Sequence, residues 1–175
     1  MSEKHLFSKE AKKKLRELAE GIDFTMMETN LGAKPSHFVP MSTKAVDDAG
    51  CIWFLSNKNS EHNSHLNSDK NIQLVYSKPS AMEFMTVYGT AFITTDKKVL
   101  KRYYGKMDDT WFDGIDDPNL TAIKVIPEDI HYWDTKNGKI VSLIKMGIGA
   151  ITGKEQDLGE EGDLKINRPD YPFNH

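Results

Sequence analysis

Cysteine is almost absent from this sequence: Cys51 is the only one in 175 residues, so no internal disulfide can form and the fold must be held by its core. At the head of the apolar run Cys51-Ile52-Trp53-Phe54-Leu55, it reads as a small packed hydrophobe. Apolar stretches near the ~20 residues that span a bilayer are also missing. The opening MSEKHLFSKEAKKKL lacks the apolar centre of a secretory signal. A cytoplasmic protein without membrane attachment is therefore the expectation. Neither sign of charge dominates, since 23 Lys+Arg face 26 Asp+Glu for a net −3, without the basic excess that nucleic-acid binding requires. Neither G-x-G-x-x-G nor G-x-x-x-x-G-K-[ST] occurs, which excludes a nucleotide held in the Rossmann or P-loop manner. No nucleophile elbow or Ser-His-Asp spacing argues for hydrolysis.

What is present fits one domain: 38% hydrophobic and 28% charged residues over 175 positions can build a sizeable core. From Ser8, a helix is expected with Ala11, Leu15, Leu18, Ala19 and Ile22 on one stripe and Lys12, Lys13, Lys14 and Arg16 in water. Strands are expected at 23–29, 36–46, 51–56, 71–77, 82–94, 120–126 and 130–134, with short helices at 60–67 and 95–105. Such spacing implies an antiparallel sheet or barrel rather than an alternating α/β fold. Lys139 to Ile151 is apolar enough to pack, although Gly147 and Gly149 interrupt a helical reading. From Glu155 the tail is acidic and then proline-containing, which reads as a loosely held extension whose Tyr171 and Phe173 are able to dock on a partner subunit. The domain is taken as 1–153 and the extension as 154–175.

The stretch from Ser36 to Leu66 carries the most information. Phe38, Val39, Met41 and Val46 precede the turn residues Asp47-Asp48-Ala49-Gly50, and Ile52 to Leu55 return as a second strand. The polar loop Ser56-Asn57-Lys58-Asn59-Ser60 then opens a helix, where free backbone N–H groups and the positive dipole end favour an anion such as phosphate. A plainer reading is that Asn59 or Ser60 only caps the helix.

These motifs, in order, resemble the pyridoxamine 5'-phosphate oxidase-like FMN-binding split-barrel family, in particular its general stress protein 26 group. The resemblance runs from about residue 8 to 153: Phe24 to Thr29, HFVPMST, IWFLSNKNSEH, Val87 to Ala91 (VYGTA), Thr110-Trp111-Phe112 before Asp116-Asp117-Pro118, and Tyr132-Trp133-Asp134. It implies a mainly β split barrel of antiparallel strands with an N-terminal helix, acting as a homodimer with FMN at the subunit interface. It also implies that Leu55 is among the cofactor-binding residues, that Ser56, Asn57, Ser60 and His62 serve the phosphate end, and that Val39, Pro40, Met41, Ser42 and Thr43 run along the flavin ring. Relatives often carry arginine at the Val39 position and lysine or arginine where this chain has Glu61 and His62, which lowers the expected phosphate affinity. Lys58, His37 and a protonated His62 are the candidates to compensate.

The implied function is a flavin-dependent oxidoreductase of unknown substrate. Its alternatives are a non-catalytic flavin binder, a cofactor-free dimer and an F420-dependent reductase. Pyridoxamine phosphate oxidase activity is not expected, because Arg168 is the only arginine after Arg102 and the tail is acidic. Trp111, set in a polar loop, either plugs the core or covers a ligand, and the resemblance implies that it approaches the flavin as a cofactor-binding residue. Asp108, Asp109, Asp113, Asp116 and Asp117 read as a solvated, turn-forming loop rather than a catalytic carboxylate pair. His62 and His65 at i, i+3, with His37 as a third, lack the H-E-x-x-H spacing, and no metal is expected.

Overall fold

A computed structural model describes residues 2–3, 6–135 and 159–165. Expectations for 139–151, Tyr171 and Phe173 lie outside those residues. The elements are β1 (Ser2–Glu3), β2 (Leu6–Phe7), α1 (Ser8–Ile22), β3 (Phe24–Thr29), β4 (His37–Ser42), β5 (Ala45–Val46), β6 (Ile52–Asn57), α2 (Glu61–Ser68), β7 (Asn71–Lys78), β8 (Glu83–Thr94), α3 (Lys97–Tyr103), β9 (Leu120–Thr135) and β10 (Gly159–Lys165). The fold is mainly antiparallel, as the spacing of apolar runs implies, and is the split barrel with an N-terminal helix that the resemblance implies.

Strands run β10-β9-β8-β7-β3-β4 across the sheet, and β6 joins β9 on the same edge as β10, ahead of it along the strand. The path from β4 into β5 turns the sheet back on itself. Thr43 donates its N–H to Asp23 O beside β3, while the next residue, Lys44, donates to Trp53 O on β6, both within 2.9 Å. Two adjacent residues thus bond to opposite edges of the sheet. The turn that follows is built by Asp47, whose Oδ1 accepts from the N–H groups of Ala49 and Cys51 and whose Oδ2 accepts from Trp53 Nε1. Gly50 supplies the left-handed conformation there, at φ +86°.

Alternation sets the barrel interior. On β8, Met85, Val87 and Ala91 point inward, while Phe84, Thr86 and Tyr88 face out. Ile72, Leu74 and Tyr76 of β7 and Met27 of β3 fill the same core, with Ala11, Leu15, Leu18 and Ala19 of α1 laid against it. Full burial of one such leucine is worth about 1.5–3 kcal/mol. A second cluster forms on the outer face of β6, where Trp53 and Leu55 meet Leu100, Tyr103 and Phe112. Because β6 is covered on both faces, it reads as a continuous apolar run.

Three expectations change. Lys14 turns inward rather than to water, and its ammonium pairs with Asp134 of β9 and, at 3.1 Å, with Glu160 of β10. Only its stem could follow the apolar stripe, and two carboxylates at the stem's end outweigh the loss of water. The segments 120–126 and 130–134 are one strand, β9, carried past Pro127 by a bulge in which Glu128 is the extra residue opposite Tyr88 and Gly89 of β8. Proline lacks an N–H, and a bulge is where a strand tolerates that. Finally, Gly159–Lys165, assigned by composition to a loose extension, pairs with β9 and buries Leu164. The backbone ladder and one leucine suffice, although the seven residues look like solvent-exposed tail.

At the bulge, a Cβ on Gly89 would lie 2.2 Å from the carbonyl oxygen of Ile126. That obstacle is backbone and cannot swing away. Gly89→Ala should therefore cost about 3 kcal/mol of stability, read as a lower urea midpoint at unchanged slope.

Candidate functional site

Helix α2 begins where the loop leaves β6. Ser60 is its cap, extended at φ −71° and ψ 152°, and its Oγ accepts from Asn63 N. The capping expectation for Ser60 therefore holds, and the N–H groups of Glu61 and His62 have no carbonyl within the helix to bond. Around this end, Asn57, Lys58 and Asn59 are exposed. The loop is kept in shape by Lys58 N bonding Asn119 O, and by Asn57 Oδ1 accepting from Asn59 N.

Behind the loop lies a closed polar ring. Ser56 Oγ donates to Asn63 Oδ1 at 2.7 Å, Asn63 Nδ2 donates to Thr121 Oγ1 at 3.0 Å, and Thr121 Oγ1 donates to Ser56 O at 2.8 Å. With its only hydrogen committed to Asn63, Ser56 Oγ must accept from His62 Nε2, 2.6 Å away. This fixes His62 as the Nε2–H tautomer, and Ser60 Oγ is a second acceptor at 3.0 Å. All four residues of the ring and its histidine are buried. Burial above all, with His37 and His65 nearby, lowers the His62 pKa to about 4. Its imidazole is neutral at neutral pH, not the charged phosphate partner that the sequence suggests.

In front of His62 stands a histidine pair around one carboxylate. Glu61 Oε2 lies 3.6 Å from His37 Nδ1 on β4, and Glu61 Oε1 lies 3.9 Å from His65 Nε2 one turn along α2. The His37 and His65 rings meet edge-on with centroids 5.3 Å apart, and His37 stacks toward His62 at 6.5 Å. Thr29 Oγ1 holds His65 Nδ1 at 3.1 Å. Among the described residues no His, Cys, Asp and Glu group has metal-ligand geometry.

Along β4, the residues named for the flavin ring divide between two faces. Val39 and Met41 pack on the core, Pro40 and Phe38 are exposed, Ser42 donates to Asp23, and Thr43 is buried against Tyr76 Oη at 2.9 Å. Leu55 is buried in the second cluster. Trp111 is 79% exposed beside Met107 at 86%, so it does not plug the core of this chain. The acidic loop forms turns, as expected, where Asp117 accepts from the N–H groups of Asp113 and Asn119, and Asp116 pairs with Lys97 in water; Asp108, expected to be solvated with the rest, is instead buried and paired with Lys44. Sequence reading missed Asn63 and Thr121. The signal for Thr121 was a lone hydroxyl inside the apolar strand Leu120-Thr121-Ala122-Ile123.

A polar loop and capped helix on a split barrel define the class of protein. The chain belongs to the family described as pyridoxamine 5'-phosphate oxidase like, whose profile matches residues 10–157. It is 30% identical over 146 residues to protein bli-3 of Neurospora crassa, covering 75% of this chain and 68% of that protein. Among solved structures, a Jannaschia protein named as a general stress protein 26 superposes with a TM-score of 0.76 at 22% identity, covering 90% of this chain and 98% of that one. A general stress FMN/FAD binding protein from Xanthomonas citri gives 0.62 at 21% identity, with 73% and 90% covered. At these identities the two structures establish the fold.

The pH dependence of stability follows from His62. Its folded pKa of about 4 lies below the unfolded value near 6.5, so the unfolded chain takes the proton first. The stabilisation is complete above about pH 6.5 and is lost as pH falls toward 4, to the extent of roughly 3 kcal/mol. Denaturation at stepped pH should show a flatter acid limb in His62→Gln than in the parent chain.

Proposed function

We propose that this protein binds FMN and acts as a flavin-dependent oxidoreductase of the general stress type. The observation that carries this is the start of α2, where unpaired N–H groups of Glu61 and His62, the Ser60 hydroxyl, the Lys58 ammonium and the Asn57 and Asn59 amides surround one exposed loop. This donor set fits a phosphate. Ser56 and His62, expected to touch it, serve from behind: their bonds to each other and to Asn63 hold the loop against β6 and β9. β4 ends the sheet and pairs with β3 on one side, so the backbone groups on its outer edge would serve the edge of a ring, with Pro40 the side chain turned outward. Bound FMN would supply the hydride or electron transfer, and the chain would position it and shield it from water.

A twofold homodimer belongs to the same reading. Phe24 and Met26 of β3 and Phe38 of β4 are exposed on the outer sheet face, at 61%, 42% and 49%. Register places Met26 beside Pro40 on one side and Val75 on the other. On the neighbouring strands, Phe84 and Trp133 pair across β8 and β9 and line a crevice of about 420 Å³ with Val75 and Thr86. An apolar sheet face of this extent favours a second copy. Among the described residues no helix is long and apolar enough to cross a membrane, and a cytoplasmic location is part of the proposal.

One observation favours a second reading, a dimer without cofactor: the Glu61 carboxylate stands at the helix start where an anion would bind, and the polar ring behind it is already complete. The two readings separate on purification. The first expects a yellow protein, or one that turns yellow with added FMN, and bleaching by reduced nicotinamide; a colourless protein that takes up no FMN overturns it. For the dimer, light scattering should give about twice the 19.9 kDa of one chain, and Met26→Asp should yield a folded monomer.

A further inference from the structure

Two rows of side chains cross the outer face of the sheet where β8 meets the second half of β9. Register aligns Glu161, Trp133, Phe84 and Ser77 in one row and Asp163, His131, Thr86 and Val75 in the next. The residues between them along each strand, Leu164, Tyr132, Met85 and Tyr76, are buried in the core, so both rows face out. Among these side chains lies the crevice of about 420 Å³, lined by Val75, Ser77, Phe84, Thr86 and Trp133.

An oriented histidine stands at its edge. His131 is the direct neighbour of Thr86 on β8 and of Asp163 on β10, and its ring meets Trp133 edge-on with centroids 4.4 Å apart. Asp163 Oδ1 lies 2.8 Å from His131 Nδ1. A carboxylate only accepts, so Nδ1 carries the hydrogen, and in the neutral imidazole Nε2 is left as an acceptor. The two nitrogens lie on opposite sides of the Cβ–Cγ axis. With Nδ1 turned to β10, Nε2 is turned to β8, the side on which Thr86 and the crevice lie.

We propose that the crevice binds a flat, uncharged aromatic ring carrying a hydroxyl group, a phenol, whose O–H donates to His131 Nε2. The volume is that of a small-ligand site, and the rings of Phe84 and Trp133 with the methyls of Val75 suit an aromatic occupant. Charge at this end of the face disfavours an anion. Asp129, Glu161 and Asp163 face out here against Lys165, while Lys78 and Lys14 reach the other side of the sheet, at Gly21 O and at Asp134 and Glu160. None of these residues belongs to the α2 loop, so the inference stands apart from the flavin reading. A histidine pair that only fastened β10 to β9 would be indifferent to a ligand's hydroxyl, and a second copy on this face is the competing occupant.

The test titrates 2-naphthol, its methyl ether 2-methoxynaphthalene and 2-naphthoate at about pH 8, where an ordinary imidazole is neutral, following the Trp133 indole N–H by NMR. Naphthol should bind about tenfold more tightly than the ether, and naphthoate most weakly. His131→Phe keeps a ring against Trp133 and removes the acceptor, so naphthol should fall to the level of the ether while the ether is unchanged; a damaged fold would weaken both. Asp163→Asn should shrink the same preference, since the imidazole is no longer held to one tautomer. Equal affinities for naphthol and ether, a preference that survives His131→Phe, or a Trp133 resonance that no probe moves would each overturn the proposal. Binding seen only in a Met26→Asp monomer gives the crevice to the second copy and overturns it too.

Discussion

A strand has only two edges, and β9 uses both. One edge pairs with β8 from Phe84 to Thr94. The other carries β6 on its first half, through Leu120 to Val125, and β10 on its second, through His131 to Thr135. Its 16 residues serve three neighbours. Since β6 also receives β5, and β5 continues the strand that lies on β3, the closure of the barrel depends on this shared strand. The bulge at Gly89 allows it to bend midway without losing either half of its ladder.

The candidate site is a consequence of that closure. β6 delivers Ser56 and the loop, β9 delivers Thr121 directly opposite Ser56, and α2 folds back so that Asn63 bonds both. A buried polar ring satisfied at every atom is stiff, because any rotation leaves a donor or acceptor without water to replace its partner. The rigid part of the site is therefore interior, and the groups left on its surface are the loop amides, Ser60, Lys58 and the Glu61 cluster. That surface carries the Lys58 ammonium and the Glu61 carboxylate set between two imidazoles.

Much of this was legible before any coordinates. The alternation of β8, the Ser60 cap, the Asp47 to Gly50 turn and the polar loop after an apolar strand are local patterns, each dictated by backbone geometry and neighbouring side chains. The break expected between 126 and 130 is absent because a bulge depends on the partner strand, here on the missing Cβ of Gly89. Lys14 misled for a related reason: its carboxylate partners lie 120 and 146 positions away, on β9 and β10.

The sequence by itself determined the family, the order of the strands and the presence of an anion-favouring helix start, since these rest on local periodicity and on motifs in one order. Only the tertiary structure decided which polar groups face a ligand. Ser56 and His62 were drawn inward by Asn63 and Thr121, Trp111 was left outside the core, and His37 was carried from β4 to Glu61 and His65 on α2. Whether a side chain is spent on a neighbour or left free depends on contacts between distant segments, and those exist only once the sheet has closed.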